Sequence, residues 1–224
     1  MLADLLDLVL PVSCVGCGRT GPPLCSSCGV PDVHAVALDG LPVVAAARYE
    51  GAVRTALLAY KERGRRDLRR PLATLLTAAL TDVAGMPAAI VPMPTTATAR
   101  RARGGDHVLR LATVAARESG IGRVCTPLRL ARAVRDSAGL DIAERAANLH
   151  LAMVARAPRR VSTALVVDDI TTTGASLIEA TRALRLAGWR VVGAAVVAAT
   201  PRRRPLSARP VAVTSSRSIH SGLT

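Results

Sequence analysis

The chain alternates short, continuous apolar runs with longer segments in which apolar residues recur every three or four positions. The four strongest runs cover residues 43–49, 88–93, 164–167 and 190–198. Short apolar runs that end at charges or turns are typical of buried strands in a parallel sheet. Because the segments between them have helical periodicity, the pattern predicts an α/β fold with a parallel sheet flanked by helices.

Each helical segment presents one apolar stripe, and residues at this spacing share the face of a helix that packs on the core. Asp106 is placed to cap the third helix, and Gly188 is placed to end the fourth. The four stripes consist of Val53, Leu57 and Tyr60; Leu68, Leu72, Leu75, Leu76 and Ala79; Val108, Leu111, Ala112 and Ala115; and Leu177, Thr181 and Leu184.

Two regions lack this clear alternation. Residues 127–141 are polar and predict a long loop, and residues 140–153 predict a helix that carries Arg145 and Asn148. A long loop inside a compact domain is usually functional or mobile, so a flap over a site and plain disorder are both open interpretations. From residue 201 the chain is rich in arginine, proline and serine, which predicts a disordered basic tail over residues 201–224.

The third apolar run leads into the segment with the strongest candidate chemistry. Asp168 and Asp169 follow the run, and a hydroxyl-rich turn then opens the fourth helix. The free N–H groups and positive end of a helix suit a phosphate, while carboxylates suit sugar hydroxyls or Mg²⁺. The alternative is an ordinary strand-to-helix connection with a threonine cap and two solvated aspartates. The predicted phosphoribosyl site comprises Asp168, Asp169, Thr171, Thr172, Thr173, Gly174, Ala175 and Ser176.

Two basic segments earlier in the chain are candidates for the same site. Lys61 lies in the basic turn 61–66, and Arg100, Arg103 and Gly104 lie in the loop that follows the second strand. Open α/β sheets bind ligands at the carboxyl ends of their strands, so we expect these four residues to contact a pyrophosphate. In the alternative interpretation, both segments are solvated charged loops.

Four cysteines lie close together near the start of the sequence. Cys14 and Cys17 form one Cys-x-x-Cys pair, and Cys25 and Cys28 form a second. This spacing predicts one tetrahedral zinc ion with a structural role, because four thiolates leave no open position for chemistry. Two disulfides or scattered buried thiols are the alternatives. Disulfides would need an oxidising compartment, and no segment here indicates export.

Composition and charge narrow the classes of partner. The 224 residues carry a formal net charge of +14, which favours an anionic partner such as a phosphorylated sugar or a nucleic acid. One Trp, two Tyr and no Phe weigh against a single-strand platform of stacked rings. No apolar run approaches the roughly 18 residues of a membrane span. Residues 1–10 predict an amphipathic helix with Asp4 and Asp7 on its polar face, so we expect a cytoplasmic protein without membrane contact.

The segment 166–176 resembles the phosphoribosyl-pyrophosphate motif of the type I phosphoribosyltransferases. The order of motifs over residues 1–198 is similar to that of the ComF family of competence-associated, phosphoribosyltransferase-like proteins. The matching segments are Lys61-Glu62-Arg63-Gly64, Val91-Pro92-Met93-Pro94, Gly139-Leu140, Glu144-Arg145 and Asn148-Leu149. The sequence departs from the family at Gly105-Asp106-His107, where Phe-Asn-Gln is usual, and at Ser137-Ala138, where a Gln often stands. Both departures flank the region expected to hold pyrophosphate and acceptor.

The resemblance implies a type I phosphoribosyltransferase-like open parallel sheet at residues 41–200. It also implies an N-terminal helix with a four-cysteine zinc ribbon at residues 1–40, followed after the main domain by the tail at 201–224. In such proteins the acidic pair holds the ribose hydroxyls and the following loop holds the 5-phosphate. The implied function is binding of phosphoribosyl pyrophosphate with Mg²⁺ and transfer of its phosphoribosyl group to a nitrogenous acceptor in nucleotide metabolism. Such catalysis depends on positioning and electrostatics, and the catalytic residues stay unassigned.

Two other functions are open on the sequence alone. One is a non-catalytic accessory protein that handles single-stranded DNA during uptake, with residues 100–103 and the basic tail on phosphates. The other is a regulator that senses the sugar pyrophosphate and reports to a partner. The partners to consider are phosphoribosyl pyrophosphate, single-stranded DNA, a competence- or helicase-type protein and a second copy of this chain.

Overall fold

The strands of the described residues form one large sheet and one small sheet. The computed structural model describes residues 12–38, 40–83, 89–131, 151–160 and 162–201. The strands are β1 (His34–Val36), β2 (Val43–Arg48), β3 (Ala89–Pro92), β4 (Arg123–Val124), β5 (Leu128–Leu130), β6 (Met153–Ala155), β7 (Thr163–Thr171) and β8 (Arg190–Ala199). The helices are α1 (Gly51–Glu62), α2 (Arg69–Asp82), α3 (Ala97–Ala102), α4 (His107–Ser119) and α5 (Ala175–Leu186), with a 3-10 turn at Arg66–Leu68.

The large sheet has the strand order β1-β2-β8-β7-β3-β4. β1 pairs antiparallel with β2, and every other pairing in this sheet is parallel. Residues 164–167 of β7 and 194–199 of β8 are buried, as expected for strands that are covered on both faces. The predicted α/β fold with a mostly parallel sheet flanked by helices is confirmed.

The helices use the apolar stripes that the sequence predicts. Every residue of the four stripes is buried, including Tyr60 and Thr181 with their polar groups. Asp106 caps α4, since its side chain accepts a hydrogen bond from Leu109 N at 3.0 Å. Gly188 lies two residues beyond the end of α5 with φ +90°, a conformation that favours glycine.

The crossover connections run in opposite directions from the middle of the sheet. The chain passes from β3 through α4 to β4 at one end, and from β7 through α5 to β8 towards the other. Right-handed crossovers therefore place α4 and α5 on opposite faces of the sheet. The strand order reverses between β3 and β7, and open α/β sheets bind their ligands in the crevice at such a point.

β7 is longer than the sequence predicts. The apolar run suggests a strand that ends at Val167, but β7 continues through both aspartates to Thr171. β8 runs beside this extension, with Asp168 opposite Val196 and Thr171 opposite Ala199. The backbone pairing offered by a long neighbour therefore outweighs the charge that was expected to end the strand.

Short elements occupy three stretches that were expected to be irregular. The loop after β3 contains α3, whose first turn is capped by Thr96 Oγ1, which accepts a hydrogen bond from Ala99 N at 3.1 Å. The connection between Pro31 and Pro42 contributes β1. The expected loop from residue 127 begins with β5, and the expected helix to residue 153 ends instead in β6, because these two segments pair with each other.

Several sequence predictions lie outside the described residues. They are the helix at residues 1–10, most of the loop 127–141, the helical assignments of Arg145 and Asn148, and the tail from residue 202. Among the residues that are described, no helix is both long and apolar enough to cross a bilayer.

Candidate functional site

The candidate site lies at the carboxyl ends of β3 and β7, where the strand order reverses. Met93 N donates to Val167 O at 2.9 Å, so the two strands stay side by side up to this crevice. β7 contributes Asp168 and Asp169, and the turn after it leads into α5. Helices α1 and α4 contribute Lys61 and His107, which reach the acidic pair from the same crevice.

The turn from β7 into α5 keeps hydroxyl groups beside the start of a helix. Gly174 is the N-cap residue of α5 with φ +80°, and no side chain caps this helix. Thr173 Oγ1 lies 3.4 Å from Ala175 N, within hydrogen-bonding distance of one backbone donor in the first turn. Thr172 is exposed and Ser176 is half-buried, whereas Thr171 is buried. The polar surface of the turn therefore consists of backbone N–H groups and the hydroxyls that follow residue 171.

Leu38 packs directly on this turn. A Cβ atom added to Gly174 would collide with the Leu38 side chain, which is itself half-buried. Glycine is therefore required at residue 174 both by its positive φ and by this close approach. Sequence analysis did not single out Leu38, because an isolated leucine between a short strand and a turn has no periodic signal.

Asp169 is a buried anion with two nitrogen neighbours. Its side chain is 5% exposed, and its Oδ2 lies 3.0 Å from Lys61 Nζ and 2.9 Å from His107 Nε2. The Lys61 ammonium lies at ion-pair distance from this carboxylate and offsets its charge electrostatically. Through these contacts Asp169 ties α1 and α4 to β7, which holds three elements together at the crevice.

The electrostatics of this cluster favour the charged forms of both Asp169 and Lys61. Burial raises the pKa of Asp169, but the contacts from His107 and Lys61 outweigh it and hold that pKa well below its usual range. Burial likewise lowers the pKa of Lys61, but the attraction of Asp169 and Asp168 outweighs it and the net shift is upward. The two groups therefore form an ion pair at neutral pH.

Asp168 is in a different situation from its neighbour. Its side chain is half-buried, and its Oδ1 accepts a hydrogen bond from Asp169 N at 2.8 Å. Burial, followed by the charge of Asp169, raises the pKa of Asp168 well above its usual range. The protein alone therefore leaves the Asp168 carboxylate undercompensated, and a bound hydroxyl donor or cation would stabilise its charged form.

His107 is the residue of this cluster that sequence analysis missed as a functional candidate. It is the first residue of α4, directly after the capping Asp106, and it is 7% exposed. Tyr60 Oη lies 3.5 Å from the His107 carbonyl oxygen. A signal was present in the sequence, because His107 stands where the resembled family usually has Gln. Its contact with Asp169 could not be inferred without the fold.

The predicted basic residues differ in their partners. Arg103 forms an ion pair with Glu62 at 3.0 Å, next to Lys61 in α1. Arg100 is exposed at the end of α3, and no carboxylate of the described ranges lies within 4.0 Å of it. Gly104 has φ +62°, and its carbonyl oxygen accepts a hydrogen bond from Arg110 at 2.6 Å. The loop after β3 is therefore folded onto α4 rather than extended into solvent.

A buried clamp fixes α5 to β6. Glu179 Oε1 accepts a hydrogen bond from Met153 N at 3.0 Å, and Arg182 donates to the Met153 carbonyl oxygen at 3.0 Å. The same two side chains pair with each other at 2.7 Å. These contacts hold α5, the helix after the threonine-rich turn, against β6.

The four N-terminal cysteines form a compact cluster. Their sulfur atoms all lie within 4.8 Å of one another, and the Sγ atoms of Cys17 and Cys25 are 3.8 Å apart. A tetrahedral ion with Zn–S bonds of about 2.3 Å separates its ligand sulfurs by about 3.8 Å. Disulfide bonds need about 2.05 Å, and all four cysteines are free. The cluster can hold a metal ion such as zinc.

Two further features suit the cysteine cluster to a metal. The backbone N–H of Cys25 donates to Cys14 Sγ at 3.4 Å. This contact is the largest of several that together lower the pKa of Cys14 to about 6. A Cβ atom on Gly16 would lie 2.9 Å from Cys28 Sγ and 2.6 Å from Ala52 Cβ at the start of α1. Glycine at residue 16 therefore allows the cysteine loops to close and to pack on the main fold.

Comparison with solved structures finds distant similarity, and no curated protein sequence matches the chain. Three of the structures are UMP synthase from Leishmania donovani, adenine phosphoribosyltransferase from Leishmania tarentolae and orotate phosphoribosyltransferase from Aeropyrum pernix. Their sequence identities are 17%, 14% and 18%, and each TM-score is 0.37. The matches cover 64%, 61% and 75% of this chain, and 24%, 59% and 75% of the respective relatives.

The family comparison covers the second half of the sequence. The family model described as the phosphoribosyl transferase domain matches residues 110–222. The match includes β7, the acidic pair, the threonine-rich turn and α5. The chain belongs to the phosphoribosyl transferase domain family.

Proposed function

We propose that the protein binds phosphoribosyl pyrophosphate in the crevice between β3 and β7. The observation that carries this proposal is the position of Asp168. It is a half-buried carboxylate with a raised pKa that lies at the strand-order reversal, a few residues before an uncapped helix start. Asp168 already accepts one hydrogen bond from Asp169 N, and a ribose hydroxyl would add a second donor to this carboxylate, while the helix start would bind the 5-phosphate.

The residues of the turn after β7 would contribute to phosphate binding in different ways. Thr172, Thr173 and Ser176 would offer hydroxyl donors, and the backbone N–H groups of Gly174, Ala175 and Ser176 would offer the helix-start donors. Thr171 is buried, so its contribution would come from holding the end of β7 rather than from its hydroxyl. Asp169 would act as a positioning residue, because its carboxylate is already committed to Lys61 and His107.

The proposed pyrophosphate contacts differ in how readily they could form. Arg100 is exposed and faces no described carboxylate within ion-pair distance, so it is the first candidate. Lys61 and Arg103 are engaged with Asp169 and Glu62, and each would have to share or exchange its partner. Gly104 would offer its backbone N–H in the same loop.

The proposed reaction is transfer of the phosphoribosyl group to a nitrogenous acceptor, as in a ComF-like phosphoribosyltransferase. Lys61, Arg100 and Arg103 would stabilise the negative charge of the leaving pyrophosphate, and the turn would fix the 5-phosphate. Asp168 is the residue whose donor chemistry fits Mg²⁺, and the ion when bound would add positive charge next to the pyrophosphate. No side chain of the described crevice is assigned as a nucleophile or general base.

A sensor of the sugar pyrophosphate is the second candidate function. Two of the predicted pyrophosphate contacts are engaged in internal ion pairs, which favours binding of the sugar phosphate over turnover. The accessory role with single-stranded DNA, a protein partner of the competence or helicase type, and a homodimer stay as further proposals from the family resemblance.

We also propose that the cysteine cluster is a structural zinc site and that the chain divides into units 1–40, 41–200 and 201–224. The sulfur spacing supports the zinc site. β1 lies within the first unit but pairs with β2 of the second, so the two would fold against each other.

One assay separates the enzyme from the sensor. The full chain would be incubated with phosphoribosyl pyrophosphate, Mg²⁺ and a panel of purine and pyrimidine bases, and released pyrophosphate would be measured. Release above the base-free reaction with at least one acceptor supports the transferase, provided that Asp168→Asn abolishes it. If the protein binds the sugar pyrophosphate but releases no pyrophosphate in any mixture, transfer to these acceptors is excluded and the sensor function is supported.

A further inference from the structure

A second concave region lies at the opposite edge of the sheet from the phosphoribosyl crevice. It is a cleft of about 720 Å³, within the range of sites that bind small molecules. Ala89 and Arg123 line it as the first residues of β3 and β4, and Ser162 lines it just before β7. Asp168 lies six residues after Ser162 along β7, so the cleft lies roughly 20 Å from the acidic pair along the strand direction.

The cleft gathers arginines that have no acidic partner. Arg123, Arg156, Arg159 and Arg160 line it, and none of its lining residues is Asp or Glu. All four arginines are exposed, and no carboxylate in the described part of the chain lies within 4.0 Å of their guanidinium groups. By contrast, five other arginines pair with acids: Arg48, Arg65, Arg70, Arg103 and Arg182. The cleft is therefore a concentrated positive charge that the described fold does not neutralise.

The only tryptophan of the chain lies in the same cleft. Trp189 Nε1 donates to the Arg156 carbonyl oxygen at 2.8 Å, which fixes the ring on the segment that carries three of the arginines. Because the indole has one donor and it is already used, Trp189 offers a ligand its ring rather than a hydrogen bond. Rings of this kind stack on nucleobases or pack against guanidinium groups.

We propose that this cleft binds a nucleotide that carries more than one phosphate. Arginine matches phosphate oxygens bidentately, so four arginines without a described carboxylate partner suit a di- or triphosphate better than a single phosphate. Arg156 also donates to the Thr126 carbonyl oxygen at 3.3 Å, which holds its guanidinium at the cleft. The ring of Trp189 suits the base, and the cleft volume suits one nucleotide rather than a polymer. The proposal is independent of the phosphoribosyl crevice, because the two sites share no residue.

Intrinsic fluorescence tests the proposal on the full chain, since Trp189 is the sole tryptophan reporter. Titration with ATP should give a saturable change in tryptophan emission, and adenosine should give none at the same concentrations. Arg159→Ala combined with Arg160→Ala should weaken ATP binding by at least about tenfold, because two charge-assisted phosphate contacts are lost. The matched control is Arg54→Ala with Arg117→Ala, which removes two exposed arginines elsewhere and should leave the affinity unchanged.

Several results would overturn the proposal. The first is the absence of a saturable fluorescence signal with ATP together with no heat in calorimetry. The second is an equal affinity for ATP of the Arg159/Arg160 double variant and the wild type. The third is binding of inorganic pyrophosphate as tight as that of ATP. Binding of oligo-dT without binding of ATP would identify a polymer surface instead. The variant Asp168→Asn should retain the ATP signal, and its loss would show that ATP occupies the phosphoribosyl crevice.

Discussion

At the carboxyl edge of the sheet Lys61 and His107 converge on Asp169, whereas at the amino edge Arg123, Arg156 and their neighbours face no described carboxylate. The first edge lies at the strand-order reversal, where Asp169 falls within the family match but Lys61 and His107 precede it. The second is lined by the first residues of β3 and β4 and by the residue before β7. Both edges carry positive charge, but among the described residues only the carboxyl edge has carboxylates within ion-pair distance of a basic group.

The comparison shows that the number of charged residues in a region does not by itself identify a binding site. At the carboxyl edge, Asp169 uses its charge to hold α1 and α4 in place, and the undercompensated Asp168 is left for a ligand. At the amino edge the uncompensated groups are arginines, so the expected ligand has the opposite sign. A net charge of +14 could not separate these two roles.

The largest effect is expected in the cysteine cluster, which packs on α1 at the carboxyl side of the sheet. Cys17→Ser should remove bound zinc, because the sulfur cage then has three thiolates. Structural zinc contributes apparent binding free energies of about 10 kcal/mol to small modules, so the N-terminal loops should unfold locally. Metal analysis should fall from about one equivalent per chain to near zero. Cys125→Ser is the matched control and should keep the metal, and equal zinc content in both variants would contradict the assignment.

The two adjacent aspartates should respond differently to the same substitution. Asp169→Asn should lower the free energy of unfolding by about 3 kcal/mol, because it leaves the Lys61 ammonium, whose side chain is only 20% exposed, without its counterion. Asp168→Asn should leave stability unchanged or raise it, since it removes a charge that burial disfavours. Urea unfolding at pH 7 measures both.

Acid provides a check on the sign of the Asp169 effect. The pKa of Asp169 is lowered in the folded state, so its stabilisation is present above the ordinary pKa and is lost as pH falls through the folded value. Wild type and Asp169→Asn should therefore converge in stability at low pH. A constant difference down to the acid transition would show that the ion pair does not stabilise the fold.

Gly174→Ala should lower stability by about 2 kcal/mol, since alanine is strained at φ +80° and its Cβ would collide with Leu38. Combining it with Leu38→Ala should recover the part of the loss that comes from the collision. A double-mutant cycle in thermal unfolding measures this coupling. Full additivity would show that Leu38 does not pack on the turn.

Much of the fold could be predicted from periodicity, because β2, β3, β7 and β8 and the four main helices carry long, consistent patterns. The cysteine cluster was also predictable, since its spacing is set by local geometry. The pairing of Asp169 with His107 was not, because it joins residues far apart in the sequence. β5 and β6 were not predicted for a related reason. A strand of three residues is too short to show an alternating pattern, and these two are defined only by their pairing with each other.

The smallest effect is expected in the pH dependence of sugar-pyrophosphate binding. The proposed contact to ribose needs Asp168 ionised, and its pKa in the free protein lies well above the usual range. Affinity should therefore be constant above that pKa and fall by up to about tenfold per pH unit below it, starting at a higher pH than an ordinary aspartate would allow. Calorimetric titrations across pH measure this. An affinity that stays flat down to pH about 4 would mean that Asp168 titrates as a solvated group.

The most direct measurement is a calorimetric titration of the full chain with phosphoribosyl pyrophosphate and Mg²⁺, comparing wild type with Asp168→Asn. The account predicts saturable binding to one site per chain in the wild type and its loss in the variant, while urea unfolding shows that the variant is folded. Binding of equal affinity in both proteins, or no binding to the folded wild type, would contradict the assignment of the crevice.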